Sequence, residues 1–66
     1  MKYLYTATMC PACDKRKEEL KKQGIDYVER KGTRLKTPEA DFDDIDKDAL
    51  VQLAMNNDTL PVEVDR

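Results

Sequence analysis

Apolar residues fall in short runs between charged stretches, and each run has a readable period. Lys2-Tyr-Leu-Tyr-Thr6 is aromatic and β-forming, which predicts a first strand. Ala7 to Met9 form a short connection, and Pro11 suits the first position of a helix, where its missing N–H costs nothing. Ala12 to Gln23 are strong helix formers, with Glu18 and Glu19 set against Lys21 and Lys22. Gly24 reads as the left-handed stop. Ile25 to Arg30 predict a second strand, with Ile25, Tyr27 and Glu29 on one face and Val28 on the other. Residues 31–44 carry Gly32, Pro38 and several acids and read as a long loop. A second helix is expected to start with Asp46 as cap and Ile45 stapled onto Leu50, its apolar face built from Leu50, Leu53 and Ala54. Asn56 to Asp58 end it, and Val62 to Val64 predict a last short strand. Strand, helix and strand in succession favour a right-handed crossover and a parallel pair. The reading is a single α/β domain over residues 1–66, minimal βαβαβ, with a small mixed sheet.

Composition narrows the function classes. A chain of 66 residues buries only about 60% of its unfolded surface, so the core must be thin. Twelve Lys and Arg against fourteen Asp and Glu leave a net charge of −2. No basic stripe is present for nucleic acid and no polybasic segment for a membrane surface. The apolar stretch Tyr3 to Met9 is too short for a signal or a span, so a cytoplasmic setting is expected. Histidine is absent, which removes histidine catalysis and Cys₂His₂ zinc sites.

The two cysteines carry the candidate chemistry. Cys10-Pro11-Ala12-Cys13 opens the first predicted helix. Helix geometry sets their Cα atoms about 5 Å apart, inside the disulfide window of about 4.4–6.8 Å. Cys10 falls at the cap or first position, where free N–H groups and the helix dipole favour a thiolate. Cys13 lies one turn inward and should be more buried. These placements make Cys10 the nucleophile and Cys13 the residue that resolves the mixed disulfide, with no cofactor required. A purely structural bridge is a weak alternative, since a four-residue loop contributes only about 2 kcal/mol. The alternative function is a zinc or iron–sulfur carrier, which would need the same cysteines from two chains to reach four ligands.

The run Tyr3-Leu-Tyr-Thr-Ala-Thr-Met-Cys10-Pro-Ala-Cys13 resembles the opening of glutaredoxins, and Thr59-Leu60-Pro61-Val62 resembles their T-V-P-x-V segment. The resemblance implies a thioredoxin-like fold of glutaredoxin type and dithiol–disulfide exchange on protein or small-thiol substrates, in cell redox homeostasis. It implies a cis proline at Pro61 and a docking edge of Thr59, Leu60 and Pro61 beside the cysteines. Met9, Pro11 and Ala12 complete the expected substrate-binding set. Reducing power would come from glutathione or from a thioredoxin-reductase-type enzyme. This chain has Ala12 where the family usually has Tyr, Ala7-Thr8-Met9 where a Lys is common, and Arg16 where a small apolar residue is usual. It lacks the family's last strand and helix, which help bind glutathione. These departures favour the reductase slightly. They also leave Val62 to Val64 as an exposed edge, on a protein expected to be a monomer.

The remaining features have plainer readings. Tyr3, Tyr5 and Tyr27 read as core or edge residues of strands. Glu39, Asp41, Asp43, Asp44, Asp46 and Asp48 do not fit the calcium-loop spacing and read as a solvated loop and helix start. Lys31, Arg34 and Lys36 read as loop cations rather than an anion site.

Overall fold

A computed structural model describes all 66 residues. Strand β1, Lys2–Thr6, is the middle of a three-stranded sheet ordered β2-β1-β3. Helix α1, Pro11–Lys22, carries the chain over to β2, Tyr27–Lys31, which lies parallel to β1 with Lys2 opposite Tyr27. A four-residue helix α2, Thr33–Lys36, and helix α3, Asp44–Met55, lead to β3, Val62–Asp65. β3 runs antiparallel to β1 on its other side, pairing Tyr5 with Val62 and Lys2 with Asp65. The fold is a small α/β domain with a mixed sheet, and the Leu60–Pro61 peptide is cis.

Local chemistry explains the ends of α1. Cys10 caps it and Pro11 takes the first helical position. At the other end Gly24 has φ +69°, and the Ile25 N–H donates to the Leu20 carbonyl at 3.0 Å. That is the left-handed stop expected of the sequence. Asn57 and Asp58, both with positive φ, turn the chain after α3. These residue types tolerate that conformation better than most.

The strand register sorts side chains onto two faces. Tyr3, Tyr5, Val28, Arg30, Val62 and Val64 point toward α3, while Lys2, Leu4, Thr6, Glu29, Glu63 and Asp65 point toward α1. The main core lies on the α3 side: Tyr5, Leu35, Ala49, Leu53, Val62 and Val64 are buried together, flanked by Tyr3, Phe42, Ile45 and Leu60. On the α1 side the buried apolar residues are Leu4, Leu20 and Cys13.

Five expectations need correction. β2 begins at Tyr27, so Ile25 lies in the connection, half-buried after the helix stop. The segment 31–44 is not a simple loop: α2 forms within it because Leu35 is buried in the core. The cap of α3 is Asp43, three residues earlier than expected. Its side chain accepts from the Asp46 N–H at 2.9 Å, and the Asp46 carboxylate accepts from the Asp43 N–H at 3.0 Å. This reciprocal arrangement is a capping box built from two aspartates. The buried face of α3 is therefore Asp46, Ala49 and Leu53, spaced at three and four residues, and Leu50 and Ala54 are exposed. No Ile45–Leu50 staple exists, because Ile45 is inside the helix and packs on the core.

Asp46 is the other departure from a solvated acidic cluster. Its carboxylate is fully buried and collects the Tyr5 hydroxyl, Arg30 at 3.2 Å, and Arg34 through two nitrogens at 3.1 and 2.8 Å. Burial alone would raise its pKa; the Tyr5, Asp43 and Arg34 hydrogen bonds outweigh that and hold it well below the usual carboxylate range. Burial, reinforced by the Asp46 charge, pushes the Tyr5 hydroxyl far up. The guanidinium of Arg30 also stacks 4.9 Å from the Tyr3 ring centroid. Four elements thus meet on one carboxylate: β1 through Tyr5, β2 through Arg30, α2 through Arg34 and α3 through Asp46 itself.

Candidate active site

The central strand aims the cysteines. β1 ends at Thr6, and three residues later the chain turns through Met9, whose φ of +55° is uncommon for a residue with a side chain. That turn delivers Cys10 in extended conformation to the start of α1. Cys10 and Cys13 are joined as a disulfide with Cα atoms 5.2 Å apart, as the helical spacing predicts. Cys10 is partly exposed and Cys13 is fully buried. The Cys13 backbone N–H donates to Cys10 Sγ at 3.3 Å, so a donor at the helix start is already aimed at the outer sulfur. Such a donor favours a thiolate over a thiol there.

The other residues read as binding positions lie at the same end of the sheet, with unequal exposure. Met9 is 94% exposed, and Pro11 and Ala12 are exposed on the first turn of α1. Thr59 is exposed, while Leu60 and Pro61 are half-buried at the entry to β3. One step beyond the Tyr5–Val62 pair the antiparallel register sets Pro61 across from Thr6. Leu60 also packs against the main core.

A polar groove of about 620 Å³ opens between the first loop and β2, bounded by Thr6, Thr8, Met9, Lys17, Glu29 and Lys31. β1 and β2 are parallel neighbours whose following helices cover opposite faces, which is the topological switch point of the sheet. The groove's charges are mostly engaged. Lys17 binds Glu29 at 2.7 Å, and Thr6 Oγ1 donates to the same carboxylate at 2.9 Å. Lys17 and then Thr6 pull the Glu29 pKa down, and Glu29 raises that of Lys17. Lys31 makes no ion pair.

Arg16 is explained by what faces it. Its guanidinium forms two hydrogen bonds with Glu63 of β3, at 2.8 and 3.0 Å, and a third with Glu19 at 3.1 Å. Lys2 reaches Glu63 from the other side at 3.1 Å. Arg16 first, then Lys2, hold the Glu63 pKa down. Of the loop cations, Arg34 belongs to the Asp46 cluster and Lys31 to the groove. No three His, Cys, Asp or Glu side chains come together in a metal-binding set, and no helix is long and apolar enough to cross a membrane. Comparison with protein-family models, curated proteins and solved structures gives no match.

Proposed function

We infer that this chain is a thiol–disulfide oxidoreductase with a minimal glutaredoxin-type, thioredoxin-like architecture, working in a reducing, cytoplasmic setting. The carrying observation is the pair itself: an accessible Cys10 at a helix start and a buried Cys13 one turn in, at bonding distance. In the reduced protein the Cys10 thiolate attacks one sulfur of a substrate disulfide. That bond breaks, and the departing thiolate takes a proton from water. Cys13, deprotonated in turn, attacks Cys10 Sγ, closes the intramolecular bond and releases the second substrate thiol. Two electrons pass from the protein to the substrate, which gains two protons. The protein is restored by a dithiol enzyme of the thioredoxin-reductase type or by two equivalents of a small thiol such as glutathione. Thr59, Leu60 and Pro61, with Met9, Pro11 and Ala12, form the surface around the reacting sulfurs. No cofactor takes part, and one copy of the chain suffices.

The test is a coupled reduction assay run in parallel with glutathione plus its reductase and with thioredoxin reductase. Turnover with either, abolished by Cys10→Ser, is expected. Cys13→Ser should accumulate mixed disulfides, and brief alkylation of the reduced protein at neutral pH should label Cys10 first. Absence of turnover with both reductants overturns the reading, and preferential labelling of Cys13 reverses the two roles.

A further inference from the structure

Gly32 sits where three loops meet. Its N–H donates to the carbonyl of Thr6, the last residue of β1, at 2.6 Å. Its backbone, φ −64° and ψ −20°, is ordinary helical conformation that any residue adopts. Conformational freedom is therefore not the reason for glycine here; space is. A Cβ at this position would lie 2.5 and 2.9 Å from the two terminal carbons of Leu60, and 3.1 Å from the Thr6 carbonyl oxygen. Leu60 immediately precedes Pro61, and its side chain lies directly over the bare Cα of Gly32 on its way into the main core.

Resting on the function inferred above, we propose that Gly32 is a positioning residue for disulfide exchange. It acts through Leu60, by letting that side chain seat over the end of β1 and fix the Thr59–Pro61 segment relative to Cys10. The clashing atoms decide how a larger residue is accommodated. The Leu60 methyls are packed against the main core and cannot simply swing aside, so relief comes from shifting Leu60 with the segment that bears it, whereas the Thr6 carbonyl belongs to the central strand. Gly32→Ala thus displaces Leu60 and the segment attached to it, and leaves the sheet and the cysteine helix in place. Displacement of a substrate-holding segment by a fraction of an ångström to an ångström is costly for a reaction that depends on alignment of three sulfurs. A large protein substrate that lies along the segment depends on it more than a small disulfide that meets only the sulfurs.

The experiment is a double-mutant cycle of Gly32→Ala and Leu60→Ala, read with insulin as the protein disulfide and bis(2-hydroxyethyl) disulfide as the small one. Gly32→Ala should lower kcat/KM for insulin about tenfold, mainly through KM, and change the small substrate by less than about twofold. In the Leu60→Ala background, where the obstructing atoms are gone, adding Gly32→Ala should change insulin reduction by less than about twofold. The rate of Cys10 alkylation should be the same in all four proteins. Additive losses, or equal losses on both substrates, overturn the proposal while leaving exchange itself intact. Methyl NMR gives a readout independent of activity: Leu60 resonances should shift in Gly32→Ala, and unshifted methyls overturn the geometric premise. A wild-type protein that reduces neither substrate overturns the functional inference and this one with it.

Discussion

On the α3 side of the sheet, six buried residues pack together around the Asp46 carboxylate, which ties four elements to one another. On the α1 side, apolar burial is confined to Leu4, Leu20 and Cys13, and the rest of the interface is a lattice of half-exposed pairs: Lys2–Glu63, Arg16–Glu63, Arg16–Glu19 and Lys17–Glu29. The buried cluster pairs charge in low dielectric, where losing one partner is expensive. The α1 lattice is solvent-screened, and such pairs contribute little each. The cysteines are thus carried on the more weakly attached helix, against a sheet whose other face supplies most of the cohesion. Under the proposed function, a cysteine pair that must open to substrate benefits from that division, because local opening is cheapest where apolar burial is least.

The largest expected effect breaks the strong side. Asp46→Ala leaves the Tyr5 hydroxyl without its partner and two guanidinium groups without theirs, and should cost about 3 kcal/mol. Urea unfolding checks it, and a loss no greater than that of an exposed α3 substitution such as Asp48→Ala would erase the contrast between the faces. Acid sharpens the same point. The Asp46 carboxyl lies below its ordinary 3.8 when folded. The unfolded chain therefore takes up a proton near pH 4 that the folded chain refuses, so the stabilisation is complete above about pH 5, begins to fall near pH 4 and is lost only as pH drops through the lowered folded value. Asp46→Asn should flatten that acid limb more than Glu63→Gln does.

Leu20→Ala, the apolar anchor of α1, should cost about 2–3 kcal/mol. It should also raise hydrogen exchange in α1 without changing that of α3. In the wild type, α1 amides should exchange about tenfold faster than those of α3; equal protection would mean that the two faces hold their helices alike. Tyr5→Phe removes one of several donors to Asp46 and should cost about 1 kcal/mol. The smallest effect belongs to the α1 lattice. Replacing Arg16 and Glu63 together by Leu and Val should leave the thermal midpoint unchanged or raise it, while Glu63→Val alone, which leaves Arg16 only Glu19 and Lys2 only Asp65, lowers it slightly. High salt should reproduce only the second, weaker trend.

The cysteine helix was legible because its signals are local. Pro11 at the first position, a run of helix formers and Gly24 at the end are each readable in one turn of chain, and the Cys10–Cys13 spacing follows from helical geometry. The parallel pairing of β1 and β2 followed from the βαβ succession, whereas the order β2-β1-β3 depends on long-range pairing that no local signal carries. Asp46 was not legible, because Asp43, Asp44 and Asp48 are chemically identical neighbours. Only Tyr5, Arg30 and Arg34, brought in from three other elements, make one of these acids a buried centre. The same cluster obscured the start of α3, since each of these acids is a competent cap. Helix α2 is too short to carry a period and exists because Leu35 reaches the core. Gly32 left no signal either: a glycine in a polar stretch reads as a turn residue, and the side chain that requires it lies far along the chain at Leu60.

The placement of β1 at the centre of the sheet has a consequence for synthesis on the ribosome. This strand emerges before both of its neighbours, so each of its edges is closed by residues made later: Tyr27 to Lys31 on one side, and Val62 to Asp65 on the other. The β1–α1–β2 unit can pair as soon as β2 has emerged, but half of the central strand's ladder waits for residues 62–65. Closing that larger loop costs little extra free energy, since loop entropy grows only logarithmically, but it delays the contact. Stalled nascent chains ending before Val62 should therefore remain sensitive to protease, and protection should appear in one step when β3 clears the exit tunnel.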